Sequence, residues 1–172
     1  GALIMTLTGH AINAYGIAFS PDGNRIATAG WDRLAKVWDA NTGAPLLTLT
    51  GHSEIVYGIA FSPDGNKIAT TSWDNSAKIW DANSGLVIKT LYGHNDRVTG
   101  IAFSPDGSRI ATSSMDNSAM VWYTDTGYRD PTFIGHIFGV NDVAYSPDGS
   151  KIATSSQDRT AKLWDVNSRA VI

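Results

Sequence analysis

Short runs of apolar and β-branched residues alternate with turn residues along the whole chain. One run covers residues 15–20 and is followed by Pro21, Asp22 and Gly23. In such a turn proline fixes φ, aspartate accepts hydrogen bonds and glycine adopts a positive φ. Further runs follow at residues 26–28, 35–38 and 45–49, and no segment repeats its apolar positions with a helical period. The pattern predicts an all-β chain of short strands joined by tight turns.

The whole pattern recurs with a period of 42 residues and is marked by a Gly-His pair in every copy. The copies align without an insertion over residues 1–42, 43–84, 85–126 and 127–168, and residues 169–172 begin a fifth. A unit of this length cannot bury its own apolar face, so the copies must stack on one another to make a core. We therefore expect a single domain, residues 1–172, of four four-stranded units with a partial outer strand at 169–172.

Two further motifs recur in the same register as the Gly-His pair. A Ser-Pro-Asp-Gly turn begins at Ser20, Ser62, Ser104 and Ser146. The third strand ends in Trp-Asp at Trp38, Trp80 and Trp164, whereas copy three has Tyr after Trp122. Together these motifs resemble the WD-repeat β-propeller family over essentially the full chain. The resemblance implies that the first strand of each sequence unit is the outer strand of the preceding blade, so residues 1–8 are an outer strand that lacks its blade.

Closing the propeller is a problem for a chain with only four units. Propellers close with roughly four to eight blades, and the resemblance implies seven or eight. An open arc would expose apolar faces and leave strand edges unpaired at residues 1–8 and 160–165. We therefore expect two copies to pair head to tail into an eight-bladed ring, in which residues 2–8 of one chain complete the last blade of the other. The tail 169–172 aligns with residues 1–4 and would compete for that edge, so it is expected to peel away or to end early.

Each copy also carries a histidine, a threonine, an aspartate and a tryptophan at matching positions. They are His10, Thr28, Asp32 and Trp38; His52, Thr70, Asp74 and Trp80; His94, Thr112, Asp116 and Trp122; His136, Thr154, Asp158 and Trp164. Carboxylate, imidazole and hydroxyl are the parts of a nucleophilic triad, but four copies without an oxyanion-hole signature argue against catalysis. The resemblance implies a buried structural network that runs from indole to hydroxyl to imidazole to carboxylate.

Metal binding is not expected from these residues. In a propeller, equivalent histidines of neighbouring blades lie too far apart to share a zinc ion, whose ligands sit roughly 2.0 to 2.3 Å from the metal. The Ser-Pro-Asp-Gly turns lack the alternating acceptors of a calcium loop. We expect neither a metal nor a cofactor.

Three of the positions at which the copies differ are the residue before the turn aspartate and the third and fifth residues after the histidine. The resemblance places these positions on the top face around the central channel, where partners commonly dock. The residues are Asn13, Tyr15, Trp31, Ile55, Tyr57, Trp73, Arg97, Thr99, Met115, Asn141 and Gln157. Aromatic, Met and Arg side chains are typical of interface hot spots, and we expect Trp31 and Trp73 to project toward solvent. Packing of these aromatics across neighbouring blades is the alternative.

Composition narrows the classes of function. The 172 residues carry a net charge of -3 with 17% charged residues and no basic stripe, so nucleic acid is not an expected partner. There is no cysteine, no 18-residue apolar run and no signal-peptide pattern, so we expect no membrane partner and a cytoplasmic location. The start at Gly1 and the whole number of repeats fit an excised or engineered fragment without a selected ligand.

The expected function is a non-enzymatic scaffold for protein interactions, with the chain itself and a peptide or protein on the top face as partners. The alternative is a propeller hydrolase with a site at the central channel. Its candidate groups are Arg97, Thr99, Asn141 and Gln157. They do not converge on a recognised chemistry, and a fold alone assigns no function.

Overall fold

The computed structural model describes residues 1–130, 132–168 and 170–172, and this part of the chain contains strands and turns but no helix. The strands are β1 (Ala14–Phe19), β2 (Arg25–Gly30), β3 (Ala35–Asp39), β4 (Pro45–Leu49), β5 (Val56–Phe61), β6 (Lys67–Ser72), β7 (Ser76–Asp81), β8 (Val87–Tyr92), β9 (Val98–Phe103), β10 (Arg109–Ser114), β11 (Ser118–Tyr123), β12 (Phe133–Ile134), β13 (Val140–Tyr145), β14 (Lys151–Ser156) and β15 (Ala161–Asp165). The prediction of an all-β fold is confirmed.

The strands form four antiparallel sheets, in each of which neighbours in the sheet are neighbours in the chain. We name them blade one (β1–β4), blade two (β5–β8), blade three (β9–β12) and blade four (β13–β15). In the described part of the chain, the first three have four strands and the last has three. The inner strands β1, β5, β9 and β13 pack on one another in chain order, so the blades form an arc around one side of a channel.

The turn between the first two strands of each blade is built by its Ser-Pro-Asp-Gly sequence. In blade one, Gly23 has a φ of 73° and its N–H donates to the carbonyl of Ser20 at 2.9 Å. The Ser20 hydroxyl donates to Asp22 Oδ1 at 2.5 Å. The same bonds recur in the other three blades. Glycine adopts this left-handed conformation without the steric cost of a Cβ atom.

The hydrophobic core lies between blades. We call the side of a blade that faces the following blade its front face, and the other side its back face. Ala27 and Val37 on the front face of blade one pack with Ile59 and Ile68 on the back face of blade two. Equivalent clusters join blades two and three, and blades three and four. Most apolar residues of a blade are therefore buried against a neighbouring blade, whereas Trp38, on the back face of blade one, is buried beside Gly9 of the preceding segment.

The two ends of the arc are uncovered. On the back face of blade one, Ile17 is 67% exposed, whereas Ile59 at the same position of blade two is 8% exposed. On the front face of blade four, Leu163 is 39% exposed, whereas Val37 at the same position of blade one is fully buried. The described arc thus ends in two apolar faces.

Residues 1–8 form no strand and pair with none of the described strands. They nevertheless contact blade one as an outer strand of a preceding blade would. Met5 Sδ lies 3.1 Å from the point where a Cβ on Gly43 would stand. At the next blade, Leu47 of β4, which occupies the position of Met5, has Cδ2 3.7 Å from the equivalent point on Gly85.

In the single chain residues 170–172 lie against the edge of blade four rather than peeling away, and Arg169 lies outside the described residues. Val171 forms an antiparallel bridge with Trp164, as Pro45 pairs with Trp38 in blade one. The Ile172 N–H donates to the Leu163 carbonyl at 2.8 Å. Unpaired backbone groups at a sheet edge gain from any available partner, so the tail begins the outer strand of blade four.

Candidate functional site

The repeated polar residues form a linear chain of hydrogen bonds in every blade. In blade three, the Trp122 Nε1–H donates to Thr112 Oγ1 at 2.8 Å. Thr112 Oγ1 also lies 2.9 Å from His94 Nε2, to which its hydroxyl donates when the imidazole proton is on Nδ1. The His94 Nδ1–H then donates to Asp116 Oδ2 at 2.8 Å. Because an ionised carboxylate can only accept, Asp116 places the imidazole proton on Nδ1.

Blades one, two and four show the same three bonds at 2.7 to 2.9 Å. The participating residues are His10, Thr28, Asp32 and Trp38; His52, Thr70, Asp74 and Trp80; and His136, Thr154, Asp158 and Trp164. Each network joins two strands, the turn between them and the loop that precedes the blade.

The aspartate at the end of each network is held by several donors. Asp116 also accepts from the Ser118 hydroxyl at 2.6 Å and from the Asn95 N–H at 2.9 Å. Burial of Asp116 opposes its ionisation, but the hydrogen bonds from His94 and Ser118 outweigh burial and hold the pKa of this carboxyl well below its usual range. The carboxylate is thus charged and fixed at neutral pH.

This geometry does not present a nucleophile. Thr112 is fully buried, its proton points at His94 and its oxygen accepts from Trp122. Within the described ranges, no three His, Asp or Glu side chains converge into a possible metal site. What the network can do chemically is lock strands and loops in one arrangement.

The aromatic residues of the predicted top face form a continuous row across blades one and two. The rings of Tyr15 and Tyr57 stack with centroids 5.2 Å apart, and those of Trp31 and Trp73 lie 6.3 Å apart. The Arg97 guanidinium carbon lies 4.1 Å from the centre of the Trp73 ring, a cation–π contact that extends the row to blade three. We call these side chains the aromatic row.

The expectation that both tryptophans project toward solvent is wrong, because Trp31 and Trp73 are half-buried in the aromatic row. Trp31 Nε1 is buried and has no hydrogen-bond partner among the described residues. The rings pack across neighbouring blades, while Tyr15 remains 47% exposed. The row therefore contributes to packing between blades and also presents a surface.

Most of the remaining predicted top-face residues line two clefts: Thr99 and Asn141 share one with Tyr15 and Tyr57, and Met115 and Gln157 share the other with Arg97. Thr99 is buried, and its hydroxyl donates across the junction to the Val140 carbonyl at 2.6 Å. Gln157 Nε2 lies 3.4 Å from Met115 Sδ. The structure leaves Asn13 and Asn141 exposed and Ile55 half-buried.

The sequence reasoning missed a second pattern in the top loops. The two residues that follow the histidine are Ala11 and Ile12 in copy one, and Ile137 and Phe138 in copy four. Ile12 is 54% and Phe138 56% exposed. Copies two and three carry polar and acidic residues at these positions, namely Ser53, Glu54, Asn95 and Asp96.

The residue after the turn aspartate also differs between the outer copies, one and four, which have arginine, and the inner copies, two and three, which have asparagine. It has a positive φ in every copy: 66° for Arg33, 65° for Asn75, 70° for Asn117 and 68° for Arg159. Asparagine tolerates this conformation better than arginine does. The signal that could have revealed both patterns is that the outer copies share residue types that the inner copies lack.

Blades stacked in chain order, each with its own indole-to-carboxylate network, define a repeat protein of the β-propeller type. Residues 1–39, 43–81, 85–123 and 128–165 each match the family described as WD domain, G-beta repeat. The chain belongs to the WD-repeat family, whose members generally act as scaffolds for protein–protein interactions. A comparison with curated proteins finds no significant match.

The residues that the structure describes include no helix with the length and apolar character needed to cross a membrane.

Proposed function

We propose that the chain is a non-enzymatic interaction scaffold that assembles with a second copy of itself. In this proposal two copies join head to tail, the front face of blade four of each covering the back face of blade one of the other. The product is an eight-bladed ring whose top face binds a protein or peptide. The observation that carries the proposal is the match between the two uncovered faces.

The uncovered faces carry the same residue types as the faces that are buried between blades. Ala153 and Leu163 on blade four occupy the positions of Ala27 and Val37, which are fully buried against blade two. Ile17 on blade one occupies the position of Ile59 in blade two. The back face of a second copy has the residue types that this front face packs against inside the chain. Burying apolar surface stabilises an assembly by about 25 cal/mol per Å².

The N-terminal segment supports the same assembly. In blade one, β3 pairs with β4 so that Ala35 lies opposite Leu49 and Val37 opposite Leu47. Leu7 and Met5 occupy the positions of Leu49 and Leu47 one repeat earlier. Residues 5–8 of a second copy would therefore lie opposite Ala161 to Leu163, on the free edge of β15.

The tail limits how much of the N-terminal segment can be exchanged. Residues 170–172 already lie beside β15, at the positions that residues 2–4 of a second copy would otherwise take. The exchanged strand in the proposal is thus residues 5–8.

The cationic side chain that bridges the first internal junction has a counterpart at the open face. The Arg25 guanidinium donates to the carbonyls of Ala82 and Gly65 in the next blade, both at 2.7 Å. Lys151 occupies the position of Arg25 in blade four and faces the equivalent carbonyls of a second copy, those of Ala40 and Gly23. Hydrogen bonds from a cationic donor are among the stronger ones, so Lys151 would help to fix the register of the junction.

The aromatic row is the surface that supports partner binding in this proposal. It combines exposed ring area with the Arg97 guanidinium, and Trp, Tyr and Arg are the residues that most often dominate binding energy. In a two-fold ring the aromatic row occurs twice, so a partner would bind at two sites or as a two-fold assembly itself.

Light scattering tests the assembly. The chain has a mass of 18.4 kDa, so the proposal requires twice that value, 36.8 kDa, at micromolar concentration. Leu163→Asp places a charge in the middle of the junction and should return the mass to 18.4 kDa. Leu86→Asp is the control, because Leu86 is 69% exposed and lies outside the buried clusters. A folded parent chain at the monomer mass would refute the proposal.

A further inference from the structure

The inner strands β1, β5, β9 and β13, which line the channel, carry a single charged residue between them. Their sequences are AYGIAF, VYGIAF, VTGIAF and VNDVAY. The third residue is glycine in the first three strands, namely Gly16, Gly58 and Gly100, whereas in β13 it is Asp142. The one charge on the wall of the channel therefore stands where the other copies have no side chain.

Asp142 is exposed and lines a cleft to which all four inner strands contribute. This cleft, which we call the channel cleft, has a volume of about 410 Å³, within the range of ligand sites. Tyr15 and Tyr57 line it on blades one and two, and Asn141 lines it beside Asp142. Among the described residues that line the channel cleft, Asp142 alone is charged.

No cationic side chain balances this carboxylate in the described part of the chain, where Asp142 takes part in none of the ion pairs. The Arg97 guanidinium is held over an aromatic ring of the top face and does not line the channel cleft. In the proposed ring, repeat equivalence places Tyr15 and Gly16 of the second copy opposite Asp142, and neither is charged. The charge thus stays uncompensated in the single chain and in the ring.

We propose that the channel cleft binds a basic side chain, lysine or arginine, of a peptide segment that docks on the top face. Its cationic end pairs with the Asp142 carboxylate and donates to the amide oxygen of Asn141. Hydrogen bonds between a cationic donor and a carboxylate are among the strongest in proteins. The inference rests on the top-face binding described under Proposed function and names the chemistry of the partner.

The position of Asp142 is unfavourable for packing, which argues that the charge serves a ligand. Asp142 Oδ1 lies 2.5 Å from the point where a β-carbon on Gly100 would stand, so the carboxylate occupies a close approach of two inner strands. Gly58 and Gly100 show that the strand folds without a charge at this position. Natural sequences depart from folding rules mainly at functional sites. A charge retained against packing points to a ligand of opposite charge.

The order of residues along the strands favours a long side chain over a bare ion. Tyr15, Tyr57 and Asn141 each stand one residue before the level of Asp142, nearer the top loops. A group that enters from the top face therefore passes the tyrosines before it reaches the carboxylate. Lysine and arginine pack their apolar stems along such surfaces while the charged end stays with a polar partner. A metal ion would find only one carboxylate in the channel cleft.

The experiment uses the 172-residue chain and a random library of 12-residue peptides displayed on phage. Enriched peptides are made with a fluorescent label, and their dissociation constants are measured by anisotropy. We expect the enriched sequences to share a lysine or arginine, whose replacement by glutamine weakens binding about tenfold or more. Asp142→Asn, which removes the charge but keeps the shape, should weaken binding of the unchanged peptides by a similar factor. Asp142→Gly, which installs the residue of the other three copies, should do the same.

Glu54→Gln is the matched control, because it removes the same charge from a top loop outside the channel cleft, and its dissociation constant should equal that of the parent. Enriched peptides without a basic residue, or peptides that bind both Asp142 variants as tightly as the parent, would overturn the channel cleft and leave top-face binding intact. A selection that enriches no peptide would overturn both. The mass test under Proposed function decides the ring separately, because one chain alone lines the channel cleft.

Discussion

The α-carbon of Asp142 lies 2.8 Å from the point where a β-carbon on Gly100 would stand. Strands β9 and β13 can approach this closely only because Gly100 has no side chain. Gly58 has the same relation to the Thr99 carbonyl oxygen, 2.7 Å from its missing β-carbon. Glycine at this position of the inner strand therefore sets the spacing of the blades.

Gly100→Ala should lower the free energy of unfolding by about 1–3 kcal/mol, because the new methyl group meets backbone that cannot move aside easily. Urea unfolding followed by tryptophan fluorescence measures the change. Gly1→Ala is the control, since no atom lies within 4 Å of a Cβ at Gly1. Equal stability of Gly100→Ala and the parent would mean that the blades can separate without cost.

Asp142 itself stands at the glycine position of blade four, so the proposed junction between copies must be wider than the internal ones. Asp142→Gly should tighten the dimer, because it removes a side chain and a charge from the closest approach of the inner strands. Sedimentation at decreasing concentration should show dissociation at a concentration about tenfold lower than for the parent, which corresponds to about 1.4 kcal/mol. Weaker association of the variant would show that Asp142 makes a favourable contact across the junction.

Deleting residues 1–8 should leave the β15 edge at Ala161 and Lys162 unpaired in both halves of the proposed ring. Exposed strand edges template aggregation, so we expect dissociation to 18.4 kDa or precipitation. Light scattering and turbidity distinguish these two results. A stable dimer of the shortened chain would show that residues 5–8 do not complete blade four.

His94→Ala should destabilise the fold, because Thr112 loses its acceptor and Asp116 one of its donors. A buried polar group left without its partner costs about 1–3 kcal/mol. In a dimer the lesion occurs twice. Chemical denaturation checks the prediction, and His52→Ala, which removes the same two bonds in blade two, should cost a similar amount. An unchanged midpoint in both variants would assign the stability of the blades to packing alone.

Acid should unfold the protein through its turn aspartates. Hydrogen bonds from Ser62 and from the Asn66 N–H lower the pKa of Asp64 to about 2, and hydrogen bonds from Ser104 and Ser108 do the same for Asp106. Because these pKa values lie below the unfolded value of about 3.9, the stabilisation is complete above that value and is lost as the pH falls toward 2.

Urea midpoints at pH 6, 4 and 3 should therefore decrease in that order. Asp64→Asn removes one of the titrating groups and should make the decrease shallower. Midpoints that do not change with pH would show that these carboxylates bind protons equally in the folded and unfolded states.

The sequence by itself determined the class of fold and the members of the polar network. Both follow from local signals: Pro21, Asp22 and Gly23 build a turn from their own backbone preferences, and the 42-residue period brings each histidine to the same place in every blade.

Only the tertiary structure decided how neighbouring blades meet. In the structure Thr99 points into the junction between blades three and four, Trp31 is half-buried, and Val171 pairs with Trp164. It also left Leu163 uncovered while Val37 is buried, although both stand at the same position of the repeat. A repeat specifies equivalent positions equally, and their environments differ because burial depends on which face a neighbouring blade covers.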